Sequence, residues 1–271
     1  MQSSDKKCRP LGFHFLLPQY YCNLVASEIF RKQGISFMNE QIYWRVTILF
    51  IGWFFGNFMT AQLVAGKTAG KSASQIGTTG NPGMANIMAH LGFKAGITVL
   101  LGDVIKTIIA AAIAIALVKT GVTDLPLRLA ILYAVTGATL GHNFPLLFGI
   151  TSNLGKLKAK KDRSLYLGGK GVACTCIGLF LTSPVWGLLS CIAGMLVVFA
   201  TRYLCIGGVV IPAFFCIPAL YFWGLEYGII AVFLTIMMFC RHFSVIRQIP
   251  SGKAEKTDVL GAIRKKLGKK N

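Results

Sequence analysis

The chain has 271 residues, 54% of them hydrophobic and 14% charged, with a mean hydropathy of +0.63. A soluble domain carries about 25% charged residues, so the composition excludes an ordinary soluble globular protein and points to an all-α, polytopic membrane protein. The net charge of +19 does not argue for nucleic acid, because Lys and Arg cluster in loops on one side, as the positive-inside rule expects, and no nucleic-acid-binding motif is present.

Residues 1–41 read as an N-terminal arm. LGFHFLLPQYYCNLVASEIF (11–30) is apolar but interrupted by Pro18 and Asn23, short of the roughly 20 clean residues needed to span a bilayer; it suits an interfacial helix or a short extra span. The first full span reads as 43–65, followed by a loop at 66–94 rich in Gly, Ser and Thr. The next span, 95–118, is broken only by GDVIK. Asp103 and Lys106 lie three apart, share a helical face and pair either as a functional intramembrane charge couple or as a mere interfacial one. A span at 127–149 ends on Gly141-His142-Asn143-Phe144-Pro145, and a basic loop at 150–167 carries Lys156, Lys158, Lys160, Lys161 and Arg163.

From Gly171 to Cys240 the chain is nearly continuous apolar sequence, and its Pro, Gly and charged breaks divide it into about four segments, near 171–183, 185–201, 205–223 and 226–240. Seven spans result, in a membrane domain at 42–246 followed by a basic tail at 247–271. This count places the 66–94 and 150–170 loops, Arg202 and the tail on one side, which the positive-inside rule makes cytoplasmic. The cysteines lie mostly within apolar runs and lack a C-x-x-C spacing, so they read as small buried residues rather than metal ligands.

Gly168-Gly169-Lys170-Gly171 stands out, at the end of the basic loop and the head of an apolar run. Glycines let bare backbone amides approach a ligand, the lysine supplies charge, and a helix beginning there adds its dipole: the combination suits a phosphate. AGKTAGKSAS (65–74) imitates the end of a nucleotide P-loop, but Ala61 and Ala65 occupy the positions where its leading glycine must stand, so no nucleotide site is expected. TGNPGMAN (79–86) is turn chemistry or an amide-rich ligand loop. His142 and His242 each suit a bland interfacial role; together on one face they suit an anion site with proton-transfer capacity.

TGNPGMAN, GDVIK, GHNFP, GGKGVA and RHFSVI occur in this order, and the chain thereby resembles the PlsY-type acyl-phosphate:glycerol-3-phosphate acyltransferases over about residues 50–247. The resemblance implies a seven-span fold in the cell inner (plasma) membrane with a cytoplasm-facing site. It implies acyl transfer from acyl-phosphate to the 1-hydroxyl of glycerol 3-phosphate, in phospholipid synthesis, with no cofactor and no metal. Carried onto matching positions, it implies substrate contacts at Thr79, Gly80, Asn81, Gly83, Asn86, Gly141, Gly168, Gly169, Lys170, Gly171 and Arg241, with His142, His242 and Lys170 catalytic. The chain departs from the family pattern at Ala85 (for Thr), Ala89 (for an Arg that holds phosphate) and Val245 (for Asn), and about fifteen residues (151–165) are inserted before GGKG. An Arg fork is not replaced by Ala without loss. The alternatives are therefore compensation by the inserted lysines, a different acceptor, or a non-catalytic protein that binds or transports lipid or lysolipid.

Overall fold

In the computed structural model the described residues are 40–77, 80–154, 168–254 and 256, with side chains of 151–154 excepted; all but the first four fall in one compact unit that begins at Trp44. The N-terminal arm to residue 39, Thr79 and the inserted lysines lie outside them. Among the described residues there are helices and connecting turns and no strand: α1 (40–56), α2 (Thr60–Ala69), α3 (Met84–Leu91), α4 (Phe93–Lys119), α5 (Leu127–Asn143), α6 (Leu146–Leu154), α7 (Val172–Thr182), α8 (Pro184–Thr201), α9 (Leu204–Pro218) and α10 (Leu225–Ile246).

Among the described residues five stretches are long and apolar enough to cross a bilayer: Glu40–Ala69, Phe93–Lys119, Pro184–Thr201, Leu204–Trp223 and Leu225–Ile246. The expected spans over 127–149 and 171–183 are shorter as helices, with 17 residues in α5 and 11 in α7. In the first case the cause is Pro145, which cannot donate to a helical bond and disfavours helix at Phe144; the chain bends and restarts as α6. The loop expected over 66–94 is partly helical. α2 continues to Ala69, and α3 forms because MANIMAHL holds good helix formers between Gly83 and Gly92. Pro184 at the first turn of α8 follows an extended Ser183, the usual place for proline. After Pro218, α9 widens into a π-turn at Ala219–Trp223.

The centre of the bundle is α5, with 13 of its 17 residues buried. It meets α1 along a seam of glycines on both helices. A Cβ on Gly52 or Gly56 would lie 2.0 or 2.2 Å from the carbonyl oxygens of Ala134 and Ala138, and one on Gly137 or Gly141 would lie 2.0 or 2.2 Å from those of Leu49 and Trp53. Two G-x-x-x-G patterns thus face each other, the small-residue packing that lets membrane helices approach at backbone distance. Gly194 of α8 and Gly207 of α9 meet similarly, each 2.9 Å or less from the other's carbonyl oxygen when given a Cβ.

Several hydroxyl groups within the helices find partners on their own helix, whereas those of Thr60 and Thr175 are buried without one. Thr107, Thr136, Thr139, Thr182, Ser190 and Thr235 each donate to the carbonyl four residues back, at 2.7–2.9 Å, as an apolar solvent demands. Large apolar side chains such as Phe50, Leu101, Val185, Leu196, Ile217 and Ile229 point outward, where lipid rather than water solvates them. At the start of α10, Glu226 takes a forked contact from Arg45 of α1 (2.6 and 3.0 Å) and a hydrogen bond from Tyr133 of α5 (2.8 Å). Glu226 and His242 stand at opposite ends of α10, about 24 Å apart at 1.5 Å per residue, so this lock marks the end of the bundle away from the site.

Candidate functional site

The loop Gly168–Gly171 is drawn into the bundle by two neighbours. Gly168 donates its N–H to the carbonyl of Asn143 at 3.0 Å. From α10, Arg241 donates through Nη2 to the carbonyls of Gly168 (2.7 Å) and Gly169 (3.1 Å). The peptide bonds of the described residues are trans, so turning these carbonyls toward Arg241 turns the N–H groups of Gly169 and Lys170 the opposite way. The glycines have separate reasons. A Cβ on Gly168 would collide with the His142 carbonyl oxygen at 1.7 Å; one on Gly169 would lie 2.2 Å from His142 Nε2 and 3.2 Å from the Pro82 carbonyl; Gly171 has φ of +78° and a Cβ there would meet Asn143 Oδ1 at 2.6 Å. Gly171 is the N-cap of α7 and offers no side-chain cap, so the first-turn N–H groups and the helix dipole remain available to an anion.

Lys170 is half-buried in this loop, and no carboxylate pairs with it among the described residues. Its pKa is lowered, first by desolvation, with the Arg241 charge adding to the effect and the Cys205 thiol opposing it. An ammonium held half out of water beside a second cation, with both near amides, is a site built to receive negative charge.

Both histidines are buried, each 3% exposed, so His242 does not snorkel at a helix end. His242 Nδ1 lies 2.9 Å from the Met238 carbonyl. A carbonyl only accepts, so Nδ1 carries the proton and Nε2 presents a lone pair. That nitrogen faces Gly208 of α9, whose would-be Cβ lies 3.2 Å from it and 3.1 Å from Val172 at the start of α7. His142, near the end of α5, packs under Gly169 and reaches the charged residues of α4: Nδ1 is 2.8 Å from Lys106 Nζ and 3.4 Å from Asp103 Oδ1.

The 80–86 segment contributes less uniformly. The Pro82 carbonyl comes up against Gly169, which carries this loop to the phosphate candidate. Asn81 is half-buried and its carbonyl accepts from Gly83 N–H at 2.8 Å, shaping the turn that caps α3. Gly80, with φ of +56°, packs over the Ser74 carbonyl. Asn86 is buried and donates to the Ile76 carbonyl at 2.8 Å, so it ties α3 to the preceding turn. Gly141 belongs to the glycine seam with α1 rather than to the loop surface. Of the sequence-derived residues, the structure therefore brings together Gly168 to Gly171, His142 and Arg241, with His242 at the head of α7. Thr79 lies outside the described residues.

Sequence reasoning left the roles of Asp103 and Lys106 open and missed Asn143 altogether. Asp103 and Lys106 pair at 2.9 Å and are each 4% exposed, which removes the interfacial alternative. The one available signal was their spacing within a span. Asn143 is fully buried below Gly171 with no hydrogen bond to either amide atom; nothing local in the sequence distinguishes it. Asp103, His142 and Cys174 bring three potential metal-ligand atoms within 4.8 Å of one another, but the Lys106 ammonium already stands against the carboxylate and the ring nitrogen.

Fold and site together define a polytopic helical membrane protein with a recessed, cationic, glycine-lined loop. The family profile described as Glycerol-3-phosphate acyltransferase matches residues 46–252. Glycerol-3-phosphate acyltransferase 1 of Lactobacillus johnsonii is 32% identical over 220 residues, covering 81% of this chain and 96% of the relative; the Clostridioides difficile glycerol-3-phosphate acyltransferase is 30% identical, covering 80% and 97%. The fold is similar to the crystal structure of PlsY, an integral membrane glycerol 3-phosphate acyltransferase, in its glycerol 3-phosphate form. The TM-score is 0.63 at 21% identity, over 81% of this chain and 98% of that one. The chain belongs to the glycerol-3-phosphate acyltransferase family, and it is an integral membrane acyltransferase of phospholipid synthesis.

Proposed function

We propose that the site moves an acyl group from acyl-phosphate to the 1-hydroxyl of glycerol 3-phosphate, giving lysophosphatidate and phosphate, with the motif loops facing the cytoplasm of the inner (plasma) membrane. The observation that carries this is the Gly168–Gly171 loop, its carbonyls pinned by Arg241 and its amides and Lys170 left to an anion. Acyl-phosphate is a mixed anhydride with a good leaving group, so the protein's task is to hold two anions and neutralise departing charge. Lys170 and the loop amides hold the donor phosphate; Asn81, Gly80 and Thr79 orient the acceptor. The acceptor hydroxyl gives its proton to Nε2 of His242, its oxygen bonds to the acyl carbon, and the carbon–oxygen bond to phosphate breaks with the electron pair leaving on phosphate. The acyl chain lies among the outward apolar faces in the bilayer.

A second acceptor is favoured by one feature: Ala89, exposed on α3, brings no cation where the family resemblance implies an arginine. Purified protein in lipid, given acyl-phosphate with glycerol 3-phosphate or a panel of other hydroxyl acceptors, decides. Lysophosphatidate from the wild type and not from Lys170→Ala supports the proposal. Product only with another acceptor re-specifies it, and no product with any acceptor from protein that still binds acyl-phosphate replaces it with a lipid-binding or transport role.

A further inference from the structure

Asp103, Lys106 and His142 form a buried cluster directly behind the glycine loop. We propose that Lys106 is a positioning residue that fixes the tautomer of His142, so that His142 serves as a hydrogen-bond donor to the phosphate and not as a base; this rests on the acyl-transfer function proposed above.

Lys106 Nζ has four near partners: His142 Nδ1 at 2.8 Å, Asp103 Oδ1 at 2.9 Å, the Phe58 carbonyl at 3.0 Å and the Gly56 carbonyl at 3.3 Å. An ammonium offers donors only, so the ring nitrogen it touches at hydrogen-bond length must be the one without a proton. The competing arrangement, Nδ1–H donating to Asp103, would have to act across 3.4 Å, longer than an ordinary N–H···O bond, and would set two donors against each other at 2.8 Å. The carboxylate is already balanced by the ammonium. The single proton of a neutral imidazole is then on Nε2, the nitrogen that packs against Gly169 in the floor of the phosphate loop. His242 has the reverse arrangement, with Nδ1–H given to Met238 and a lone pair at Nε2. One site thus holds two histidines in opposite tautomers. His242 takes the hydroxyl proton; His142 steadies the departing phosphate oxygen by a hydrogen bond without transferring a proton. An intramembrane lysine is costly, and setting a tautomer gives this one a purpose that pairing with Asp103 alone does not.

The test is two-bond proton–nitrogen correlation spectroscopy on protein carrying 15N-histidine in micelles, with His142→Gln identifying the His142 signals. The expected wild-type spectrum has a protonated Nε2 and bare Nδ1 for His142 and the opposite for His242. In Lys106→Met, His142 is expected to move to Nδ1–H against Asp103, kcat to fall at least tenfold, and KM for glycerol 3-phosphate to change less than threefold. Wild-type His142 with a proton on Nδ1, or a Lys106→Met protein with unchanged tautomer and kcat, would overturn the proposal. If Lys106→Met does not fold, the wild-type spectrum decides alone. It needs no substrate, so failure of the tautomer assignment appears in the spectrum and failure of the acyl-transfer function in the product assay.

Discussion

Replacing Gly141 by alanine tests how tightly the seam between α1 and α5 controls the site. The added methyl would stand 2.2 Å from the Trp53 carbonyl oxygen, against 3.4 Å for ordinary contact, so the two backbones must part by roughly 1.2 Å. Overpacking of this kind costs about 1–3 kcal/mol. The displacement falls on the residue before His142, and it parts the two helices that Lys106 of α4 touches together, at the Gly56 carbonyl of α1 and at His142 of α5. A 1 Å misplacement of a reacting group costs about a hundredfold in rate. Gly141→Ala is therefore expected to lower the melting temperature and to lower lysophosphatidate formation by about two orders of magnitude in protein that still elutes as a folded species. Gly137→Ala, with its methyl 2.0 Å from Leu49 O and one turn farther from His142, should match it in stability and lose less activity. Gly66→Ala is the control. Nothing lies within 4 Å of its would-be Cβ, and a helical Gly→Ala change gains about 0.5–1 kcal/mol. Wild-type melting and turnover in Gly141→Ala would refute the reasoning, because no backbone could then be in the way.

Lys170→Met is expected to abolish turnover while raising the melting temperature at neutral pH. The folded pKa lies below the ordinary lysine value, so the unfolded chain binds the proton more tightly; the resulting penalty is fully present below the folded pKa and fades as pH rises toward 10.5. Wild-type stability should climb through that alkaline window, and the variant should lack the slope; thermal melts across pH check both. Arg202 ends α8 in a left-handed conformation with φ of 65°, a strain of about 1 kcal/mol for a side chain with a Cβ. Arg202→Gly should therefore melt higher with unchanged activity. Glu226→Gln weakens a partly exposed pair with Arg45, 24% and 37% accessible, and should cost no more than about 1 kcal/mol, less in high salt, with turnover intact.

How far the sequence could be read followed the range of the interactions concerned. Apolar runs report solvent, so the helical membrane fold was legible. GGKG was legible because its glycines answer to a local demand for close approach and positive φ at Gly171. The end of α5 at Asn143 was missed although Pro145 announced it, because the apolar pattern continues through Leu146–Ile150. α3 was hidden by its glycine-rich flanks, which in fact cap it. The Arg45–Glu226 lock joins residues 181 apart, and the His142–Lys106 contact joins residues 36 apart; no local pattern records such pairs. The facing glycine patterns of α1 and α5 were visible as spacing, but which helix each would meet was not.

The shortness of α7 has a consequence for how substrates arrive. Eleven residues rise about 16 Å, half of a hydrocarbon layer about 30 Å thick. A helix of that reach cannot hold both its ends at the two headgroup planes. Where the lipid thins beside it, or where its glycine-capped head is the submerged end, Lys170 comes down toward the level of the acyl carbons. A donor whose tail is already dissolved in the leaflet can thus offer its carbonyl sideways, at its own depth, while the small water-soluble acceptor descends to it from the aqueous side.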